Sequence, residues 1–341
     1  MGRTGDQKLN MRQVAALAGV SHQTVSRVIN GHPNIAPQTR ARVLEVIEQV
    51  NYRPNSAARA LATNKSNRIG VLVDSAVQYG PNSTLRAIED AARKVGYAVS
   101  SVAIDEDRAL GPSVAVEHLV DQGVDALCAI APRSSSVDLL RELSGGLPTL
   151  VVKATPDPSF LTVSVDQQLG AALAVQHLVD LGHREILHLA GPLDWLDAKG
   201  RAEGWHAEMS RAGLGERPIV EGDWSSDFGY QWACFSDLPP EVTAVFAGND
   251  QMALGVVHGL SERGVRVPDD VSVVGFDDLP DAAHFLPPLT TVRQDFHALG
   301  VLGVETLLAV LEGRDTPRRS LIAPELVVRR STAPPRSGGA R

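Results

Sequence analysis

Apolar residues near the start of the chain recur at helical spacing in two consecutive short segments. They are Val14, Leu17 and Ala18 in the first segment and Val25, Val28 and Ile29 in the second. Gly19 ends the first helix, where a left-handed backbone costs glycine little, and Ser21 is suited to cap the second. A third helix is predicted from Pro37 to about Val50. The residues expected to face the first two helices are Val43, Leu44, Ile47 and Val50.

The second helix leaves polar side chains on its outer face. Two short helices joined by a glycine-containing turn form a helix-turn-helix, whose second helix fits the major groove of DNA. Arginine pairs with guanine, glutamine with adenine, and histidine can donate or accept a hydrogen bond. The candidate base contacts are His22, Gln23 and Arg27, and the candidate phosphate contacts are Ser21, Thr24, Ser26 and Asn30. The alternative is an ordinary helical hairpin with a solvated polar face.

Charge is divided unevenly along the chain. Residues 1–65 contain nine lysines and arginines against three acids, whereas the remainder holds 23 basic and 37 acidic residues, for a net charge of −8. A basic head on an acidic body favours contact between the head and the phosphates of nucleic acid, because the body is repelled by them.

From residue 68 onwards, short apolar runs alternate with amphipathic stretches. The apolar runs cover 69–73, 97–104, 126–130, 148–152, 185–190, 243–248 and 271–276. Helices are predicted near 83–95, 113–122, 137–143, 167–181, 198–212 and 250–263. This alternation is typical of parallel sheets with helices on both faces. The predicted fold class is therefore α/β, with two doubly wound lobes behind an all-α head.

Polar residues follow the predicted strands. In open parallel sheets, ligands bind beyond the carboxyl ends of the strands, and the residues found there are Asp74, Lys153, Asp194, Trp195, Asn249 and Asp277. Carboxylate, amide, cation and indole together match a sugar, whose hydroxyl groups take hydrogen bonds while its C–H face lies on an aromatic ring. Trp224 and Phe296 would add aromatic surface. We therefore expect a saccharide in a cleft between the lobes.

Five motifs are spread over nearly the whole chain, from about Leu9 to Val328. They are VAALAGVSHQTVSRVINGH, TRARVLEVIEQVNYRPNSAARALA, NDQMALG, DVSVVGFDD and PPLTTVRQDF. In these motifs the chain resembles the lactose-repressor and galactose-repressor family of transcription regulators. The resemblance implies a body of the periplasmic-binding-protein type in which the chain crosses between the lobes three times, the last crossing returning 296–312 to the first lobe. It also implies a dimer that binds near-palindromic operator DNA and is released by a small saccharide.

The resemblance assigns roles to particular residues. It puts His22, Gln23 and Arg27 on base edges and makes Leu61 an apolar wedge in the minor groove. The positions that hold the effector in the family are Arg201, Trp224, Asn249, Asp277 and Phe296, and Asp74, Tyr79 and Trp195 complete the candidate ligand contacts. Each role has a plainer alternative: Leu61 could pack on the body, Asp277 could cap a loop, Arg201 could form a surface ion pair, and Trp224 could belong to the core.

These signals divide the chain into a disordered tail (1–8), a helix-turn-helix domain (9–52), a hinge (53–67), a two-lobed ligand-binding and dimerisation domain (68–330) and a flexible tail (331–341). The first lobe is expected at about 68–164 and 293–328, and the second at about 165–292. A helix as short as the hinge allows is marginal in water, so we expect it to form only on DNA. The C-terminal tail lacks leucine heptads, which favours a dimer over a tetramer.

Catalysis, metals and cofactors are not expected. The acids of the pairs Asp277/Asp278 and Asp269/Asp270 are adjacent, so they point apart and cannot flank one glycosidic bond. The sequence has no GxSxG, GxxxxGK[ST] or HExxH motif and no GxGxxG after a strand.

Cysteine usage and hydropathy predict a cytoplasmic protein without membrane contact. Cys128 and Cys234 lie far apart in apolar or aromatic surroundings without a CxxC motif, so we expect buried free thiols in a reducing compartment. Neither an 18-residue apolar run nor a basic-then-apolar leader is present. A free sugar carrier, the alternative for the body alone, would need an export signal and would not need a basic head.

Overall fold

A computed structural model describes residues 9–29, 32–52, 65–75, 77–104, 112–130, 133, 140, 146–215, 218–236 and 238–336. The chain divides into two compact units between Ser66 and Asn67. The first unit, the head, is helical, and the second unit, the body, is built on two sheets.

Three helices form the described part of the head: α1 (Met11–Leu17), α2 (His22–Ile29) and α3 (Pro37–Gln49). The Ser21 hydroxyl accepts a hydrogen bond from the Thr24 amide at 3.1 Å, so it caps α2. Gly19 has a φ of 62°, the left-handed conformation that the tight turn between α1 and α2 requires.

The head buries a small apolar core, which consists of Val14, Ala15, Ala18, Val25, Val28 and Val43. The expectation that Leu17 and Leu44 belong to this core is wrong, since their exposed fractions are 59% and 49%. Each lies roughly 100° around its helix from the centre of the buried face, because one residue advances an α-helix by that angle. Ala15 and Val46 occupy inward positions instead.

The first lobe of the body is a parallel sheet with helices on both faces. Its strands are β1 (Arg68–Asp74), β2 (Ala98–Ile104), β3 (Ala126–Ile130), β4 (Thr149–Val152), β5 (Leu161–Val165) and β11 (Arg319–Ile322). They lie in the order β11-β5-β4-β3-β1-β2. The helices are α4 (Tyr79–Lys94), α5 (Pro112–Asp121) and α10 (Phe296–Leu311). Strand β3 is buried throughout, as an apolar run covered on two faces should be.

The second lobe repeats this plan with one antiparallel edge. Its strands are β6 (Ile186–Ala190), β7 (Val220–Glu221), β8 (Ala244–Ala247), β9 (Ser272–Asp277), β10 (Thr290–Arg293) and β12 (Glu325–Val327), in the order β12-β10-β9-β8-β6-β7. Its helices are α6 (Gln167–Asp180), α7 (Leu196–Arg211), α8 (Ser226–Phe235), α9 (Asp250–Glu262) and a 3₁₀ helix (Pro280–His284). Only β12 pairs antiparallel, with β10, among these strands of the described chain.

The chain passes between the two sheets three times, after β5, after β10 and after β11. The second crossing returns α10 to the first lobe, so the expectation that the last crossing does so is wrong. The last crossing carries the chain back to the second lobe, where Glu325 pairs with Arg293 in the β12–β10 ladder. Residues 325–327 therefore belong to the second lobe and not to the first.

Residues 331–336, expected to be part of a flexible tail, are packed on the second lobe. Ser331 is fully buried; its hydroxyl accepts a hydrogen bond from the Thr290 amide at 2.8 Å and donates to the Val273 carbonyl at 2.6 Å. The Ala333 amide donates to the Ser272 hydroxyl at 3.0 Å. The expectation is wrong for this stretch because its polar groups form hydrogen bonds with the first residues of β9 and β10. Residues 337–341 lie outside the described part of the chain.

Two other predictions fall on residues that the structure does not describe. Of the helix predicted near 137–143, only Leu140 is described, and it is helical. Of the hinge predicted at 53–67, only residues 65–67 are described.

Both cysteines are free. Cys128 is buried, and burial raises the pKa of its thiol to about 12. Cys234 is only partly buried, contrary to the expectation of a buried thiol, because it lies near the end of α8. No helix in the described residues is both long enough and apolar enough to cross a membrane.

Candidate functional site

A cleft in the body is bordered by the carboxyl ends of strands from both sheets. It encloses about 680 Å³, a space that includes open solvent. The predicted ligand residues that line it are Tyr79, Trp195, Arg201, Trp224, Asn249 and Phe296. Asp74 and Asp277 are buried near the cleft but do not line it.

Arg201, on α7, lies at the centre of a buried polar network. Its Nε donates to Gln167 Oε1 at 2.9 Å, its Nη1 donates to the Gly248 carbonyl, and its Nη2 lies 3.5 Å from Asp277 Oδ1. Its guanidinium carbon lies 3.9 Å from the ring centroid of Phe276. These contacts join four segments of the second lobe, so Arg201 is not the surface ion pair that the sequence left open.

Asp277 supports this network from behind the cleft wall. Its Oδ1 accepts a hydrogen bond from Gln294 Nε2 at 2.7 Å. Burial raises the pKa of Asp277 to about 6, although Arg201 and Gln294 act to lower it. Its φ of 104° is strained for a residue with a side chain. In this structure Asp277 orients two cleft-lining side chains.

Asp250 is a further buried carboxylate that the sequence analysis did not identify. Its Oδ1 accepts a hydrogen bond from the Thr291 hydroxyl at 2.5 Å, and its Oδ2 accepts one from the Leu279 amide at 2.8 Å. Burial raises the pKa of this carboxyl well above its ordinary value. The residue ties the start of α9 to the turn that follows Asp277.

Two tryptophans form the aromatic wall of the second lobe. The Trp195 and Trp224 rings are 5.5 Å apart between centroids at an interplanar angle of 64°. A Cβ at residue 191 would lie 2.1 Å from the Trp224 ring, which explains glycine there. Neither indole Nε1 has a hydrogen-bond partner among the described residues, although both are buried. Trp224 belongs to the core and also lines the cleft, so a core position and a position in the candidate ligand site are compatible.

Asn249 joins the aromatic wall to α9. Its Oδ1 accepts a hydrogen bond from the Met252 amide at 2.9 Å and so caps the helix, and its Nδ2 donates to the Trp224 carbonyl at 3.0 Å. Both ends of the side-chain amide are therefore occupied by the protein.

The first lobe contributes an aromatic pair and a local ion pair. The Tyr79 and Phe296 rings meet edge to face, 5.8 Å apart between centroids, and burial raises the pKa of Tyr79. Lys153 Nζ donates to Asp157 Oδ2 at 2.8 Å, with both side chains buried.

Arg133 connects the two lobes beside the cleft, and sequence reasoning missed it. Its Nη1 lies 3.3 Å from Asp74 Oδ1 in the first lobe, and its Nε lies 2.9 Å from Asp194 Oδ2 in the second. Its backbone forms an antiparallel bridge with Trp195. Asp74 therefore meets Arg133 rather than the cleft, and no local sequence pattern indicates that contact.

Asp197 is another residue that the sequence analysis did not identify. It stands in the first turn of α7, one helical turn before Arg201, and lines the cleft. Burial raises the pKa of this carboxyl, and the charge of Arg201 lowers it. The described residues contain no group of three or more His, Cys, Asp or Glu side chains that could hold a metal ion.

In the head, α2 presents the predicted base contacts to solvent. His22, Gln23 and Arg27 are exposed, while Val25 and Val28 are buried beneath them. The hydroxyl groups of Ser21 and Thr24 lie 2.9 Å apart at the start of the helix, and Ser26 is partly buried. The predicted contacts Asn30 and Leu61 lie outside the described residues.

Comparison with known proteins matches both units. The sequence profile of bacterial regulatory proteins of the lacI family matches residues 10–55, and that of a periplasmic binding protein-like domain matches residues 175–332. The lactose operon repressor of Escherichia coli (strain K12) is 35% identical over 333 residues, which cover 96% of this chain and 91% of the relative.

Solved structures agree with these matches. The lac repressor dimer bound to operator and the anti-inducer ONPF superposes with a TM-score of 0.85 at 34% identity, covering 96% of this chain and all of that one. A complex of the transcriptional regulator CelR with cellobiose has a TM-score of 0.70 at 27% identity, covering 95% and 99% of the two chains. The lactose operon repressor is a repressor and not an enzyme, which agrees with the function class expected for this chain. With its helix-turn-helix head and its two-lobed ligand-binding body, the chain belongs to the lacI family of bacterial regulatory proteins.

Proposed function

We propose that the protein is a cytoplasmic, dimeric repressor whose affinity for near-palindromic operator DNA is controlled by a small saccharide bound between the lobes. The observation that carries the proposal is the presence, in one chain, of a helix with exposed base-reading side chains and a cleft lined by both lobes. The first supplies contact with DNA, and the second supplies a ligand whose binding depends on how the lobes are placed.

The DNA contact rests on the chemistry of α2. Arg27 carries a guanidinium group that matches the two acceptors of guanine, while Gln23 and His22 can read neighbouring bases. Ser21, Thr24, Ser26 and Asn30 fix the register through phosphates, which carry no sequence information. Leu61 enters the minor groove between two half-sites, where an apolar wedge kinks the duplex. A dimer places its two heads on two half-sites related by symmetry.

The saccharide rests on the two aromatic surfaces of the cleft. Tyr79 with Phe296 in the first lobe and Trp195 with Trp224 in the second offer ring faces for the C–H surface of a sugar. Relatives in complex with cellobiose and with the anti-inducer ONPF support a ligand of this kind. Asp277 and Asn249 act mainly by holding Arg201 and Trp224 in place.

Ligand and DNA are coupled through the arrangement of the lobes. A ligand that contacts both lobes favours one arrangement, and the three segments that cross between them transmit it. Coupling is reciprocal, so operator DNA must change saccharide affinity by the same factor as the saccharide changes operator affinity. In our proposal the saccharide weakens DNA binding.

The DNA side is tested with Arg27→Ala, using an operator selected from random sequences. Loss of a guanine-reading side chain is expected to weaken operator binding by about 1–3 kcal/mol and to relax base preference at one position. Arg42→Ala removes another exposed charge, from α3, and is expected to leave base preference unchanged. Equal weakening on every sequence would make Arg27 a phosphate contact.

The ligand side is tested by titrating the complex of the chain and its operator with neutral mono- and disaccharides, with nucleobases as a separate series. Release of DNA by one saccharide is the expected result. Tighter DNA binding on saccharide addition would reverse the sign of the proposal, and a response to nucleobases alone would replace the ligand class.

A further inference from the structure

Most polar side chains on the cleft wall already bond to the protein. Gln167 accepts from Arg201 and donates to Gln294 Oε1 at 2.8 Å, and Gln294 donates in turn to Asp277. Asn249 uses both ends of its amide. A ligand that enters the cleft therefore meets few side chains with free hydrogen-bonding capacity.

Asp197 differs from these residues. It lines the cleft, yet its carboxylate forms no hydrogen bond with another residue in the described part of the chain. The indole N–H groups of Trp195 and Trp224 also lack an acceptor there, and both indoles are nine-tenths buried. The Asp197 carboxylate thus remains available to a ligand as an acceptor, while the two indole N–H groups are buried in the same wall without an acceptor among the described residues.

The positive charges around the cleft are matched by other carboxylates. Lys153 pairs with Asp157, and Arg133 with Asp74 and Asp194. Arg201 faces Asp277, which competes with Asp197 for its charge. The cleft wall consequently carries an excess of negative charge at Asp197.

We propose that Asp197 determines which saccharides the cleft accepts: it accepts hydrogen bonds from the ligand's hydroxyl groups and excludes saccharides that carry a negative charge. This inference rests on the proposed function. A carboxylate has lone pairs for two neighbouring hydroxyl groups and no hydrogen to donate, so it favours a ligand rich in donors. A uronic acid or a phosphorylated sugar would place a second negative charge beside it, and like charges at close range weaken binding.

The experiment uses sugar pairs that differ in charge but not in ring shape. Methyl β-glucoside and methyl β-glucuronide form one pair, and methyl β-galactoside and methyl β-galacturonide form the other, with lactose and cellobiose as neutral disaccharides. Their binding is measured by calorimetry on the full chain, on Asp197→Asn and on Asp197→Ser. Asp227→Asn is the matched control, because Asp227 is an exposed acid in the first turn of the neighbouring helix α8 and does not line the cleft.

The unmodified chain is expected to prefer the neutral member of the pair that it binds by tenfold or more. Asp197→Asn should weaken the neutral sugar about tenfold and bring the preference close to one, while Asp227→Asn should change neither. A purely structural role for Asp197 would weaken both members of a pair equally and leave the preference unchanged. Thermal unfolding of Asp197→Asn and Asp197→Ser identifies a folded variant for the comparison.

The outcomes separate the two proposals. If the unmodified chain binds a neutral saccharide and the Asp197 variants keep the same preference, the inference about Asp197 is wrong and the proposed function stands. If the unmodified chain prefers the charged member, the inference is also wrong. If no saccharide binds the unmodified chain, both the inference and the saccharide part of the proposed function are wrong.

Discussion

The two walls of the cleft are built differently. In the second lobe, Arg201 is hydrogen-bonded to Gln167 and Gly248 and faces Asp277, three residues that are far apart in sequence. In the first lobe, the buried ion pair of Lys153 and Asp157 spans only four residues of one segment. The polar contacts of the second-lobe wall are therefore long-range, whereas the buried ion pair of the first-lobe wall is local.

This difference distinguishes side chains that fix the shape of the ligand site from contacts that can move with one lobe. A side chain fixed by several distant segments is preorganised, and its loss disturbs both the fold and the ligand site. The ion pair of Lys153 and Asp157 lies within one segment and can move as a unit with its lobe. We expect substitutions in the second-lobe network to cost far more stability than those at the contact between the lobes.

Arg201→Ala is the strongest test of this comparison. Removing the cation leaves Asp277 buried without its partner, and such changes typically cost about 3–5 kcal/mol. Urea unfolding followed by tryptophan fluorescence reports on this lobe directly, since all four tryptophans lie within it. Arg93→Ala, which breaks an exposed pair with Asp90 in the first lobe, should cost less than about 1 kcal/mol. A loss below that value for Arg201→Ala would contradict a network role.

The pH dependence of Asp277→Asn gives the next largest effect. Burial raises the pKa of Asp277 to about 6 in the folded chain, whereas an unfolded aspartate titrates near pH ~3.9. The folded chain thus binds the proton more tightly, so the carboxyl contributes stability below pH ~4 that is lost as the pH rises through about 6. Relative to Asp277→Asn, the unmodified chain should lose about 2 kcal/mol between pH 4 and pH 7.

Urea unfolding of both proteins across this pH range measures the difference. Burial lowers the pKa of His188 to about 4, but this residue is present in both proteins, so its titration cancels. Parallel stability curves for the two proteins would show that Asp277 does not titrate as described.

Substitutions of Asn249 test a single contact within the same wall, the link between α9 and the Trp224 carbonyl. Asn249→Ala removes the cap of α9 and the donor to the Trp224 carbonyl, and we expect a loss of about 2 kcal/mol. Asn249→Ser keeps a capping oxygen but not the amide donor, so we expect it to lower the free energy of unfolding by about 1 kcal/mol. Equal losses for the two variants, measured by urea unfolding, would assign the whole effect to the Trp224 contact.

Asp194→Asn tests the contact between the lobes and should have the smallest effect. The side chain of Asp194 is 58% exposed in its ion pair with Arg133, and exposed pairs contribute about 0.2–1 kcal/mol. Salt screens such pairs, so the difference from the unmodified chain should vanish near about 1 M salt. A larger loss, or one insensitive to salt, would show that the two walls are not held as differently as we describe.

Periodicity predicted the elements whose signals are local. Strand β3 coincides with the predicted run at 126–130, and α6 and α9 begin at the predicted residues 167 and 250. Strand β5, with the sequence LTVSV, escaped prediction because its serine and threonine interrupt the apolar run, although neighbouring strands bury it. The exposed Leu17 and Leu44 show the opposite error, since hydrophobicity alone does not tell which side of a helix faces its neighbours.

Local sequence was enough to locate the helix that carries the candidate base contacts, the alternation of strands and helices, and the cleft-lining residues Lys153, Trp195 and Asn249, since these follow from spacing, capping and the position of strand ends. Arg201 was assigned to the site by the resemblance to the family. The packing of the lobes decided the rest. Arg133 meets Asp74 and Asp194 from distant positions in the chain, and the Asp197 carboxylate has no hydrogen-bond partner among the described residues because its neighbours bond to one another. Contacts of this kind depend on which side chains the folded chain brings within a few ångströms, and no periodicity along the sequence encodes them.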